Sequence, residues 1–261
     1  MDYYAILELC QLARFLASLS CLLVATYSDL KSRIVENKVW VVLVGVSLPF
    51  LIWELLVRVS ENPTLAIFTL ISAALSIILA LLVYRLGLFG GADAKAIMAL
   101  AASLPTYPRE LVLLAWNVEP VLKMNLFLPI SVLSNAAVLS LVTVLWNVSK
   151  NVFDFARNGN LFKNVEDSPL KKAAAFFVAF SVKREELGKY KFYKVVVKEA
   201  DGKLKFDLSP RSEEIEVPHV ERVWITLLLP FMVFMTAGFL LSIFVGDILL
   251  TVVHILLYST S

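Results

Sequence analysis

Charge is scarce in this sequence. Asp, Glu, Lys and Arg supply 18% of its 261 residues, against about 25% in soluble domains. With 59% hydrophobic residues, where about 45–50% is typical of a soluble fold, the composition excludes an ordinary water-soluble globule. Cysteine is nearly absent, with Cys10 and Cys21 alone. On one helix their separation is about 16 Å, well beyond the roughly 7 Å that a disulfide tolerates. An internal bridge is therefore excluded, and without a CxxC pair there is no thiolate metal cluster. Two apolar thiols is the plain reading. A basic start is also missing, since Met1 to Glu8 holds two acids and no Lys or Arg. A cleavable signal peptide needs such a start, so the first hydrophobic stretch is expected to be retained. No internal repeat appears. The net charge of +2 says little, because its distribution carries the information.

What is present is a series of long apolar runs. Runs of about 18 residues or more mark membrane helices. Spans are expected at about 5–28, 39–57, 64–86, 88–104, 125–148 and 223–245. The fourth is near the lower length limit, so either Asp93 enters the hydrocarbon edge or neighbouring helices shield the segment. Glu8 and Arg14, in the first half of span one, are expected to snorkel to the interface. Thr106 to Met124, with two prolines and Trp116, is expected at the surface. The tail Ile248–Tyr258 is too short to cross alone; it extends the last helix or lies on the membrane. The fold class is thus an α-helical polytopic membrane protein of about six spans.

Residues 150–222 differ in kind, with 15 Lys+Arg and 12 Asp+Glu. Ser168-Pro169 has the form of an N-cap with proline at the first helical position, and a helix is expected over Leu170–Leu187 with Gly188 as its stop. Two β-prone runs, Lys189–Val197 and Lys203–Leu208, flank Asp201-Gly202, a hairpin signal. The organisation expected is a membrane domain over 1–149, a small α+β module over 150–222, and a last span with tail over 223–261. Six spans put both termini on one side. Lys31, Arg33 and Lys38 crowd the first short loop, and Arg85 and Lys95 flank the glycine-rich turn, whereas the opposite loops hold only Arg58, Arg109 and Lys123. The positive-inside rule then places the first loop, the turn and the module in the cytoplasm.

On this topology Asp29 and Asp93 come to one membrane face at similar depth. A carboxylate entering a bilayer is costly, from about 3 to above 10 kcal/mol at the centre. Two carboxylates sharing a site cannot both ionise cheaply, so one keeps a proton. An ionised base can then activate water while the protonated partner serves the scissile carbonyl, which is amide hydrolysis by general acid–base work. Glycines before Asp93 suit close approach of a substrate backbone. The plainer alternative has Asp29 and Asp93 as boundary acids near Lys31, Arg33 and Lys95, in a transporter or membrane scaffold. Transport predicts acids at the midplane and often an inverted repeat.

Two segments carry a resemblance. Asp29-Leu30-Lys31-Ser32-Arg33-Ile34-Val35-Glu36-Asn37 resembles the first motif of type IV prepilin peptidases, an Asp with Arg four on and Asn eight on. Gly90-Gly91-Ala92-Asp93-Ala94-Lys95 resembles their second, the GxGD motif followed by Lys. Order, spacing and the two intervening spans agree as well. Ala92 departs from the motif glycine. The resemblance implies a membrane aspartic endopeptidase that removes short basic leaders from pilin-like or flagellin-like precursors at the cytoplasmic face. Without the bacterial tetracysteine cluster, methylation of the product is not expected, and the archaeal preflagellin (prearchaellin) and prepilin peptidases are the nearer group. Carried over by position, Asp29 and Asp93 are the catalytic pair; Arg33, Asn37, Gly90, Gly91 and Lys95 are supporting or substrate-binding positions. No cofactor, metal or nucleic acid is implied. A presenilin-like likeness is weaker: Tyr27-Ser28-Asp29 is one residue off the Tyr-Asp pattern, and no Pro-Ala-Leu occurs.

Glu36, Glu185, Glu186, Glu213, Glu214 and Glu216 are candidates to receive a basic leader, though solvated faces explain them as well. Lys95, two residues from Asp93, points on a helix roughly away from it and is expected to meet lipid phosphates. His219 reads as a surface histidine, and Asp247 and His254 as interface residues. Trp116, Trp146 and Trp224 fit an aromatic belt.

Overall fold

The computed structural model describes residues 3–87, 89–108, 127–163, 165–200, 203–209 and 216–258. They form two compact units, Met1–Leu139 with Pro230–Ser261, and Ser140–Leu229. The chain is mainly helical, a polytopic membrane protein with a small sheet module before its last helices.

The first unit holds α1 (Tyr3–Ser32), α2 (Asn37–Glu61), α3 (Pro63–Arg85), α4 (Gly91–Ser103), the start of α5 (Leu128–Asn158), α7 (Phe231–Phe244) and α8 (Ile248–Tyr258). Among the described residues, α1, α2, α3 and α5 are long and apolar enough to cross a membrane, and α7 with α8 forms a fifth, broken candidate bent by 51°. α3 shows how such a helix chooses its inner face. Apolarity is nearly uniform around it, so hydrophobicity gives no direction. The buried side is instead the small one, Ala66, Thr69, Ser72, Ser76 and Ala80, while Ile67, Leu70, Ile78 and Leu82 are exposed. Small residues let helix backbones approach where lipid offers no hydrophobic drive. The same logic is sharper in α7. A Cβ on Gly238 would lie 2.7 Å from the Val132 carbonyl oxygen and 2.8 Å from the Ala136 nitrogen of α5.

α4 is shielded by its neighbours. Its 13 residues span about 20 Å at 1.5 Å per residue, short of the roughly 30 Å of hydrocarbon. Ala94, Ala96, Ile97, Ala99, Leu100, Ala101 and Ser103 are all buried. The last candidate span begins later than expected, at Phe231, because Arg222–Leu227 is a strand. It breaks at Gly246, whose φ of +95° suits glycine. Buried Asn135 holds the break. Its Nδ2 donates to Ser242 Oγ and Gly246 O, each at 2.9 Å, and its Oδ1 accepts from Ile248 N at 2.9 Å. Asp247, expected at the interface, is buried and caps α8, its Oδ1 accepting from Leu250 N at 3.0 Å.

Arg14 also departs from expectation. It does not snorkel; it is 3% exposed. Its guanidinium pairs with Glu54 of α2, which Arg58 also meets, and donates to Ser103 O at the end of α4 at 3.0 Å. A buried arginine stays charged only where partners replace water, and here α2 and α4 provide them. The surface stretch expected over Thr106–Met124 lies outside the described residues from 109 onward. Cys10 and Cys21 share α1 as free thiols.

The second unit contains the rest of α5, α6 (Pro169–Val178), β1 (Phe180–Lys183), a 3-10 turn (Arg184–Lys189), β2 (Tyr193–Val195), β3 (Val197–Ala200), β4 (Lys203–Phe206) and β5 (Arg222–Leu227). Ser168 caps α6 as expected, accepting from Lys171 N at 3.4 Å. The helix then stops at Val178, ten residues short of Gly188, because Phe180 and Val182 alternate inward as a strand paired with β5. The antiparallel order is β1-β5-β2. At Val196 the chain changes partner, so β3 pairs with β4 instead, in a hairpin closing between Ala200 and Lys203. The turn residues Asp201 and Gly202 lie outside the described residues. Trp224 is not in an aromatic belt. It is 3% exposed in the module core, stacked on Phe162 at 5.1 Å and met edge-on by Phe206 at 5.3 Å. Trp146 is exposed; Trp116 lies outside the described residues.

Candidate active site

Asp29 sits on the last turn of α1 rather than just past it, because the helix continues to Ser32. Arg33 ends it with φ of +59°, a left-handed backbone conformation that is uncommon for a residue other than glycine. The cap is well bonded. Arg33 donates to Asp29 O from its backbone N at 3.0 Å and from its guanidinium at 3.2 Å, which also lies 4.0 Å from Asp29 Oδ1. The Asp29 carboxylate is largely buried. Its other oxygen, Oδ2, accepts the backbone N–H of Met232 at 3.1 Å. Met232 lies in the first turn of α7, where amide protons have no helical partner and the helix dipole favours an anion.

Asp93 is the third residue of α4. Its Oδ2 accepts from Gly90 N at 3.0 Å, which caps the helix start from within. The two acids are 64 positions apart in sequence (93 − 29). Each acid therefore has one oxygen held by the first amides of a helix.

The glycines divide their work. A Cβ on Gly90 would stand 3.2 Å from Asp93 Oδ2, so this position needs the small residue for the carboxylate to fold back. Gly91 is looser, its hypothetical Cβ only in ordinary contact with Tyr84 at 3.7 Å. Ala92 lies inside the first turn of α4, and among the described residues Arg33 is the non-glycine with positive φ. Alanine suits a helix start, so its departure from the motif glycine costs this turn nothing.

Lys95 does not reach out for lipid phosphates. Its Nζ donates to Asn37 Oδ1, at the first position of α2, at 2.8 Å. The two motifs thus meet through their supporting residues Asn37 and Lys95. Phe89, just ahead of α4, and Phe231, the first residue of α7, pack with ring centres 5.0 Å apart. Of the acids considered for a basic leader, Glu36 is exposed with Lys38 at 3.9 Å. Glu185, Glu186 and Glu216 belong to the second unit, where Glu186 pairs with Lys189 at 2.7 Å. Glu213 and Glu214 lie outside the described residues. His219 is exposed beside Arg184, at 2.8 Å.

Sequence reasoning missed the start of α7. Met232 contributes a backbone amide, which no side-chain pattern advertises. The available hint was Pro230 before an apolar run, since proline favours a helix start.

Comparison with known proteins finds similar chains. A family model described as the type IV leader peptidase family matches residues 16–145, a stretch that contains Asp29–Asn37 and Gly90–Lys95. A preflagellin peptidase of Methanococcus voltae is 26% identical over 238 residues, covering 89% of this chain and 94% of that protein. A preflagellin peptidase of Methanocaldococcus jannaschii is 27% identical over 234 residues, covering 87% and 91%.

Proposed function

Because the chain belongs to the type IV leader peptidase family and is a protease, we propose that it cleaves preflagellin-like and prepilin-like precursors after a short basic leader. Asp29 and Asp93 form the catalytic dyad. The observation that carries this is that two distant acids are each fastened by one oxygen to a backbone amide at a helix start, with their motifs joined by the Lys95–Asn37 hydrogen bond.

Fastening one oxygen leaves the other carboxylate oxygen for chemistry. With a single proton shared between the acids, the ionised member takes a proton from water as it attacks the scissile carbonyl carbon. The protonated member donates to the carbonyl oxygen. On collapse of the tetrahedral species that proton returns to its acid, while the proton taken from water passes to the leaving nitrogen, so the amine departs neutral and the dyad is restored. The fixed amides of Met232 and Gly90 keep both carboxylates in place, so little reorganisation is needed as charge moves.

The reaction takes place at the cytoplasmic face. The supporting argument is charge: Lys31, Arg33, Lys38, Arg85 and Lys95 cluster near the acids in sequence, and Lys/Arg-rich loops stay inside. Precursor and bilayer are the partners of this reading.

The test is cleavage of a peptide with a basic leader and a hydrophobic helix, by membranes containing wild type, Asp29→Asn or Asp93→Asn. Each substitution alone abolishes cutting while the protein remains inserted. Near-normal cutting by either variant defeats the two-acid mechanism.

A further inference from the structure

We infer that Asn37 and Lys95 form a positioning latch that sets where Asp93 stands relative to Asp29. The inference rests on the two-acid reading above and goes beyond it, since it gives the two supporting residues a role and explains the charged cluster at the other end of α4.

The argument begins at the buried end of α4. Ser103, the last residue of the helix, is tied three ways: Arg14 donates to its carbonyl at 3.0 Å, and its hydroxyl meets Ser18 Oγ at 2.9 Å and Ser47 Oγ at 2.7 Å. Ser18 and Arg14 belong to α1 and Ser47 to α2, and all four residues are buried. This end of the helix is fixed. Asp93 lies at the opposite end, and a rigid helix of 13 residues is about 20 Å long. A swing of only about 3° about the fixed end therefore moves the acid by about 1 Å.

The near end carries a tether of the right kind. Lys95 lies within the same helical turn as Asp93, and its Nζ donates at 2.8 Å to Asn37 Oδ1. Asn37 begins α2, which follows Asp29 by one short loop. The hydrogen bond thus runs from the helix that bears Asp93 to the start of α2, one short loop after Asp29, without touching either acid. Both residues are exposed. Such a bond adds little to global stability, yet it restrains the swing that the anchored far end leaves. A misplacement of about 1 Å costs on the order of 100-fold in rate. Asn37 and Lys95 are positioning residues, and their effect belongs in turnover rather than in substrate affinity.

The test uses the full chain in membranes with the basic-leader peptide, measuring kcat and KM separately. Asn37→Ala and Lys95→Met each lower kcat by roughly 10- to 100-fold and leave KM within about two-fold. The double variant is no worse than either single one, because both remove the same bond. Asn37→Asp keeps the acceptor oxygen for Lys95 and restores most of the rate. Wild-type kcat in Asn37→Ala overturns the latch, as does a rise in KM at constant kcat, or an Asn37→Asp variant as slow as Asn37→Ala. Asp29→Asn separates the layers. If it is inactive while Asn37→Ala is normal, the latch alone falls; if it cuts normally, the two-acid reading falls and the latch with it.

Discussion

One helix bundle holds two sets of buried charge, and they are built oppositely. Glu54 is met by both Arg14 and Arg58, with side-chain exposures of 4%, 3% and 12%. Asp29 and Asp93 each have one oxygen bound to a backbone amide, and the Arg33 guanidinium stands 4.0 Å from the Asp29 carboxylate. In the first set the carboxylate is saturated by cations and has no capacity left for a proton or a substrate. In the second the acids are held but not saturated. A saturated buried acid stabilises a structure; acids left under-paired are the ones proposed above to do chemistry. The difference also explains why α1 carries charge at both ends for unrelated reasons.

The widest way to sharpen this contrast is substitution at both sets. Asp93→Asn removes cleavage by roughly 10²–10⁴-fold or more, while the melting temperature of the detergent-solubilised protein stays near wild type. Glu54→Leu does the reverse. It strands Arg14 and Arg58 without their acid, and breaking such a buried pair costs about 3–5 kcal/mol. Chemical denaturation in detergent measures that loss. If Glu54→Leu is as stable as wild type, the cluster is not the anchor described here.

A smaller effect is expected where packing rather than charge holds the bundle. Gly238→Ala forces a Cβ to 2.7 Å from the Val132 carbonyl oxygen, and backbone cannot retreat as a side-chain tip can. Overpacking of this kind costs about 1–3 kcal/mol. Both α5 and α7 must shift, so the melting temperature falls; an unchanged value shows that the helices separate freely. The mildest case lies in the second unit. Burial pushes the Asp167 carboxyl up, but hydrogen bonds from Ser168 N (2.8 Å), Phe206 N (2.9 Å) and the Lys171 ammonium outweigh it, holding it below the ordinary carboxylate range. A group depressed on folding contributes stability above its unfolded pKa and loses it as pH falls through the folded one. Amide protection around Phe206, corrected for intrinsic exchange, is therefore flat from pH 7 to 5 and declines below about 4. Asp167→Asn removes that decline; if the slope persists in the variant, another acid is responsible.

Much of the site was legible in one dimension. Asp29, Arg33 and Asn37 share a short motif, as do Gly90, Asp93 and Lys95, and the expected order of spans put both acids on one membrane face. The Ser168-Pro169 cap and the hairpin around Asp201-Gly202 were equally local. Three misreadings share a cause. Arg14 looked like a snorkelling side chain because its partner Glu54 lies 40 positions away on another helix. Lys95 looked lipid-bound because its partner Asn37 lies 58 positions away. The run after Val178 looked helical because the strand it pairs with, β5, comes more than 40 residues later.

From residue order alone follow the membrane class, the acid pair and the family likeness, because apolar length, charge scarcity and short motifs are properties of neighbours along the chain. Only the tertiary structure decided which oxygen of Asp29 is held, that a backbone amide of Met232 holds it, that α4 is a short buried helix anchored by Arg14, and that Lys95 meets Asn37. Those outcomes depend on which helix faces align. For helices that are apolar all round, that choice rests on small residues and buried polar partners meeting across the bundle, which no local pattern encodes.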